Sequence, residues 1–379
     1  MRILLLGEFS RLHNSLKEGL VALGHEVIIV GNGDGFKNFP VDLSTKATFC
    51  ESVIGNFIRK GMYRIFKFDL AQLEFGIRFY FLLSKLEGFD VVQLINEAPI
   101  QTTPAFERFL LKKVFKQNSK VFLLCCGVDY IVANYMMQQK GRYSIMNPYF
   151  EGVKNANEYQ FIFEFLTQNH QKTHELVYQN IQGVMASDMD YVFPLEGHSK
   201  FLGLIPNPIN TEKIQFIENP IRDKINIFLG INKGSYHSKG IVFFEKALEI
   251  IQEKYRTKID ILIAENLPYN EYILLYNKAH IVLDQVYAFD QGYNALEAMA
   301  KGKVVFTGAE KEFEEYYNLT EKVAINALPE VNAIVTELSF LIENPSEIDA
   351  IGKRARAFVE QEHDYLKIAE KYLEKWQTK

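Results

Sequence analysis

The feature that most restricts the fold of this chain is a pattern that starts twice. Residues 3–6 form a short unbroken apolar run. A polar loop follows, then an amphipathic helical segment over 14–23 with Leu16, Leu20 and Leu23 at helical spacing. Gly24 stops it, and a second apolar run covers 26–30. At residue 225 the series begins again, with an apolar run over 225–229, the loop G-I-N-K-G-S-Y-H-S-K-G, a helix over 241–255 and an apolar run over 258–264. Unbroken apolar strands that alternate with helices are buried on both faces and build a parallel, doubly wound sheet. Between the two series, residues 206–224 carry three prolines and no period, which is linker composition. A chain of 379 residues exceeds what one core spans. The expectation is an α/β protein with two doubly wound Rossmann-like domains, 1–205 and 225–361, joined by the 206–224 linker. A last helical segment, 362–379, carries Ile368, Ala369, Tyr372 and Trp376 on one face.

Composition removes several classes. A formal net charge of −5 argues against nucleic acid as a partner. The cysteines are Cys50, Cys125 and Cys126, with no C-x-x-C pair, so neither a disulfide frame nor a zinc site is supported. No run of about 18 apolar residues occurs, so no transmembrane helix is expected. A reducing, cytoplasmic setting follows. The first loop lacks G-x-G-x-x-G, and Glu8 after Gly7 would oppose a pyrophosphate, which excludes a dinucleotide in that half. The run over 120–125 ends in C-G-V-D, placing Asp129 either at a ligand crevice or as the cap of the next helix.

The densest signal lies at 281–308, I-V-L-D-Q-V-Y-A-F-D-Q-G-Y-N-A-L-E-A-M-A-K-G-K-V-V-F-T-G. It reads as strand, glycine loop, helix, strand. The helix starts just after Gly292, where unpaired N–H groups and a positive dipole end suit an anion. This block resembles the donor loop of GT-B glycosyltransferases, specifically the large retaining family 4 (group 1) with many bacterial polysaccharide enzymes. That family has two glutamates eight residues apart and an E-A-M-A-x-G-x-P-V tail. Glu297, Ala298, Met299, Ala300, Gly302 and Val304 fit the tail, with Val304 a residue early because no proline follows Lys303. The first glutamate is replaced by Phe289, and Asp290 is the nearest carboxylate.

The resemblance implies two α/β domains facing a central cleft, with the terminal helix crossing back onto the first and Trp376 as its packing anchor. It implies transfer of a sugar, with retention, from a nucleotide-sugar donor to a saccharide or lipid-linked saccharide acceptor, in cell-surface polysaccharide synthesis. Lys239, before Gly240, matches the diphosphate-binding lysine, and Lys233 is a weaker second match. Gly292, Tyr293 and Asn294 would present backbone donors to phosphate, Glu297 would hold the ribose, and Asp290 stands nearest the missing glutamate. Asp129 would face the donor sugar. On the acceptor side His13, with Asn14 beside it, follows the first strand. Two ammonium groups and a helix start neutralise a diphosphate without metal or other cofactor. Asp188 and Asp190 spell D-x-D, the metal pair of the GT-A fold, and are assigned here to structure, Asp188 as a helix cap. A sugar-nucleotide epimerase and a non-catalytic nucleotide-sugar module are the alternatives.

Residues 51–86 are helical in composition and interleave basic with aromatic residues. Arg59, Lys60, Arg64 and Lys67 sit against a side with Ile58, Met62, Ile65 and Phe66. Such a helix either buries its apolar side in the domain or lies on an anionic membrane surface, here the inner face of the plasma membrane.

Overall fold

The computed structural model describes residues 1–265, 267 and 269–378. The first sheet contains β1 (Arg2–Leu6), β2 (Glu26–Gly31), β3 (Leu43–Ser44), β4 (Val91–Leu94), β5 (Lys120–Cys125), β6 (Gly183–Ala186) and β7 (Phe201–Leu204). Their order is β3-β2-β1-β4-β5-β6-β7, all neighbours parallel. Ile3 to Leu6 of β1 are entirely buried, because separate cores cover the two faces of the sheet. Leu4 and Leu6 pack with Val92 and Leu110, whereas Ile3 and Leu5 pack with Leu16, Leu20 and Trp376. The two strands with no counterpart in the sequence pattern are β3 and β7. Both are edge strands: β3 is only two residues long, and β7 (F-L-G-L) is apolar but half-buried throughout, as a strand paired on one side only.

The second sheet contains β8 (Ile225–Ile231), β9 (Ile259–Glu265), β10 (Ile281–Leu283), β11 (Val304–Thr307) and β12 (Ile325–Asn326). Its order is β12-β11-β10-β8-β9, again all parallel. In each sheet the chain first builds to one side and then returns to the other. The strand order therefore reverses between β1 and β4, and again between β8 and β10. In open α/β sheets that reversal leaves a crevice at the strand C-termini, where ligands bind.

The chain passes between the domains along two adjacent segments. Ile209 N donates to His363 O at 2.7 Å, and His363 Nδ1 donates to Asn207 O at 2.9 Å. The helix Tyr365–Gln377 then lies in the first domain against the helix Leu12–Ala22. A Cβ on Gly19 would come within 2.3 Å of Tyr365 O, so only glycine allows this approach. Trp376 is buried and donates from Nε1 to Gln93 Oε1 at 3.0 Å. Losing a buried indole of this kind costs about 3–5 kcal/mol.

The 51–86 stretch breaks into the helices Thr48–Glu51, Val53–Phe66 and Leu70–Leu82. The middle helix does not bury an apolar side, since Gly55 is its one buried residue. Arg59 is withdrawn from the basic set by a two-pronged bond to Asp69, 2.6 Å on each oxygen. Among the described residues no helix is long and apolar enough to cross a membrane.

Candidate active site

The loop after β8 returns at Gly240, whose φ of +65° is left-handed. A Cβ there would fall 2.2 Å from Val286 Cγ2, so glycine permits this loop to touch the one after β10. The contact brings Lys239 Nζ to 2.9 Å from Oδ1 of Asp284, the residue that follows β10. Asp284 is only 4% exposed and also accepts from Asn294 Nδ2 at 3.0 Å and Thr307 Oγ1 at 3.4 Å. An ammonium group has three donors. Lys239 gives one to Asp284 and, with a third of its side chain exposed, turns the remainder outward. Asp284 was not singled out from the sequence. Its signal was a lone acid closing the apolar run I-V-L-D.

The helix Tyr293–Ala300 begins beside this cluster, with Gly292 extended at its N-cap. Gly292, Asn294, Lys239 and Asp284 are thus brought together at the reversal between β8 and β10. Glu297 lies one turn along, partly exposed and 3.0 Å from Lys301, whose ammonium sits over the Tyr276 ring. Lys233 is placed elsewhere, in an exposed pair with Glu265 at the end of β9. The Tyr293 hydroxyl crosses the cleft to Ser15 Oγ in the first domain. Burial raises its pKa, and Arg11, Glu297 and Glu8 lie close enough to act on it electrostatically.

The first domain's strand ends differ. His13 is fully buried, donating from Nδ1 to Gly7 O at 2.7 Å, and burial lowers its pKa to about 4. Its ring supports the loop after β1 and does not open onto the cleft. Glu8 accepts from Asn14 N and Nδ2 at 2.8 and 2.6 Å, and burial pushes its carboxyl up to about 8. Asp129 has no exposed surface. It caps the helix Tyr130–Met137 by accepting from Val132 N at 2.8 Å, and the Cys125 thiol donates to its other oxygen. Glu97, absent from the sequence reading, is buried against His174 Nδ1 at 2.7 Å, and burial again raises its pKa to about 8.

A reciprocal clasp holds the domains together. Phe289 N donates to Asp190 Oδ2 at 3.0 Å, and Met189 N donates back to Asp290 Oδ2 at 3.3 Å. Asp290 also accepts from Gln291 N, so its oxygens serve backbone groups. Asp188 stands at the N-cap of the helix Met189–Leu195 without making the capping bond, and Ser187 Oγ donates to it at 3.3 Å. Burial raises Asp190 and Asp290 to about 7, and burial with the two neighbouring acids raises Asp188. Phe289 fills the position of the first glutamate. Its ring lies between Tyr143 and Phe193, at 5.2 and 4.9 Å, under the Arg142 guanidinium. Arg142 in turn pairs with Glu310 and Glu312 across the cleft. A cavity of about 230 Å³ remains here, lined by Tyr143, Tyr191, Phe193, Phe289, Asp188 and Asp190 among others. The larger depression, about 560 Å³ beside Lys17, Asp42 and Lys213, contains none of the second domain's strand-end residues.

Residues 239–374 match a family described as glycosyl transferase-like, a match that spans Lys239, Asp284 and Glu297. No curated protein matches the chain in sequence. Sucrose-phosphate synthase from Thermosynechococcus elongatus is similar in structure at a TM-score of 0.61 and 14% identity, over 100% of this chain and 98% of that one. HepE of Anabaena, solved with UDP-glucose, gives 0.60 at 12% identity over 100% of both chains. A UDP-GlcNAc 2-epimerase from Neisseria meningitidis, bound to UDP-GlcNAc, gives 0.52 at 13% over 100% of both. At these identities the likeness is one of fold, and that fold is GT-B.

Proposed function

We propose that this GT-B chain is a glycosyltransferase that takes its sugar from a nucleotide-sugar donor held by the second domain. The observation that carries this is the Lys239–Asp284–Asn294 cluster at the start of the helix Tyr293–Ala300. Asp284 sits behind two donors and orients them. Lys239 then directs its outward N–H groups at the diphosphate, where negative charge grows as the glycosyl bond breaks. The unpaired N–H groups of the helix start hold phosphate, and Glu297 takes a ribose hydroxyl. The acceptor, a saccharide hydroxyl, enters from the first domain, and the anomeric configuration is retained. No metal is needed in this reading, because Lys239 supplies the cation and Asp190 is committed to the domain contact.

Thermal shift against a panel of nucleotide sugars tests donor binding, since a ligand stabilises by RT ln(1 + [L]/Kd). Product analysis with the stabilising donor follows, in the presence of chelator. Glycosyl transfer with retained configuration supports the reading, and loss of turnover restored by manganese removes its metal-free part. The epimerase is the second reading, favoured by the shared fold with the Neisseria enzyme. Release of an epimerised nucleotide sugar without acceptor would establish it instead.

A further inference from the structure

The helix Val53–Phe66 turns its apolar residues to solvent. Val53 is 90% exposed and Phe57 81%, and Ile54, Ile58, Ile65 and Phe66 are exposed with them. The next helix, Leu70–Leu82, continues the surface with Leu73, Ile77, Tyr80 and Phe81, the last 74% exposed. Tyr80 then stacks on exposed Phe109 of the helix Pro104–Gln117 at 6.3 Å. Three packed helices thus share one apolar face, and a soluble monomer rarely exposes so large a patch without a partner for it.

The charges around the face identify the partner. Residues 53–67 contain four basic residues and no acidic one, in a chain whose net charge is −5. Arg59 is occupied by Asp69, which leaves Lys60, Arg64 and Lys67, all exposed. Lys60 and Arg64 follow Phe57 by three and seven residues, so they line the edge of the apolar face. On the other side Lys113 lies over the Phe109 ring. In a two-fold contact between copies, the same patch would face itself, and the acids beside it, Asp69 and Glu74, are already paired with Arg59 and Arg78, so neither is left to meet those cations. Apolar residues edged by unpaired cations match the acyl boundary and phosphates of an anionic bilayer.

We propose that the face formed by Val53–Phe66, Leu70–Leu82 and Phe109 seats this protein on an anionic lipid surface. Val53, Ile54, Phe57, Ile65 and Phe81 enter the acyl boundary, and Lys60, Arg64 and Lys67 meet the lipid phosphates. The seating requires no glycosyl transfer, so it stands or falls separately from the reaction proposed above.

Co-sedimentation of the full chain with vesicles tests it. One set is equal parts phosphatidylcholine and phosphatidylglycerol, the other phosphatidylcholine alone. The parent protein should bind the first set and leave it as salt rises. Lys60→Glu with Arg64→Glu should weaken binding by about 30-fold or more, two charges at roughly fivefold each. Phe57→Glu with Ile65→Glu should abolish it. Both variants alter exposed side chains, and unchanged melting temperatures will show that they fold. Equal binding to both vesicle sets, or binding that survives Phe57→Glu with Ile65→Glu, overturns the proposal. So does failure to bind vesicles together with a dimer in sedimentation equilibrium that Phe57→Glu dissociates, which would assign the face to a second copy.

Discussion

The two domains share one sheet plan and use their strand ends in opposite ways. In the second domain, Asp284 follows β10 beside a lysine, and the pair keeps one side open to the cleft. In the first, Glu8, Glu97 and Asp129 occupy comparable positions after β1, β4 and β5, but burial raises them to about 8, 8 and 7. Their oxygens are bonded to Asn14, His174 and Val132, which fixes loops in place. The same topological crevice can therefore present charge to a ligand or bury acids, whose pKa burial raises, as internal braces. What separates the two is the partner each carboxyl finds, a cation in one domain and chiefly backbone or neutral groups in the other.

Removing the cation is the strongest way to break this contrast. Lys239→Ala strands the buried Asp284 carboxylate and should cost about 3–5 kcal/mol of stability, read by denaturant melts. Adding Asp284→Asn should recover most of that loss, while donor affinity and turnover stay down by about 10- to 150-fold. Recovery of turnover in the double variant would show that the cluster is a brace like those of the first domain.

The clasp between the domains comes next. Asp190 and Asp290 rise from an ordinary 3.8 to about 7. The clasped state therefore holds protons that the unfolded chain has released, and stability falls as pH climbs from about 4 through 7. Asp190→Asn keeps the one oxygen that Phe289 N donates to and removes the charge. It should match the parent near pH 4 and exceed it by on the order of 4 kcal/mol near pH 8, a rise of about 3 in pKa at about 1.4 kcal/mol each. Parallel melting curves across that range would contradict the clasp.

A smaller effect sharpens the comparison from the other domain. Asp129→Ala deletes a helix cap and should cost about 1 kcal/mol, with donor affinity unchanged. A shift in donor Kd would put Asp129 in the binding site after all. The smallest stability effect belongs to Glu297→Gln. It weakens a largely buried pair one helical turn apart whose Lys301 keeps Asn277 and the Tyr276 ring as partners, a loss of about 0.5 kcal/mol. Isothermal titration should nevertheless show donor affinity falling about tenfold through the lost ribose contact.

Central strands were legible because double burial writes itself as unbroken apolar sequence, and the restart at residue 225 gave the second sheet. The loops that carry Lys239, Gly292 and Asn294 were legible because glycine loops at strand ends keep a local signature. Asp284 left one letter of evidence, an acid after I-V-L. The Asp190–Phe289 and Asp290–Met189 bonds left none, since they depend on how two separately patterned domains meet. Burial of His13 and Asp129 was hidden for a related reason, because a loop residue's exposure is set by what packs over it. In the Val53–Phe66 helix, periodicity revealed an apolar side but could not say that no part of the domain covers it.

The return of the helix Tyr365–Gln377 has a consequence for the order in which the molecule is made. The first domain is not continuous in sequence, since Ile368, Tyr372 and Trp376 complete the core that Ile3, Leu5 and Leu16 begin. During synthesis that core waits, with the flank of the helix Leu12–Ala22 uncovered, until the entire second domain has emerged. The second domain, contiguous through β8 to β12, can reach its native state first. Nascent chains of this protein are thus expected to complete their second domain before their first, the reverse of the usual N-terminal-first sequence. A chaperone that shields apolar helix surface would find its longest-lived target along Leu16 and Leu20.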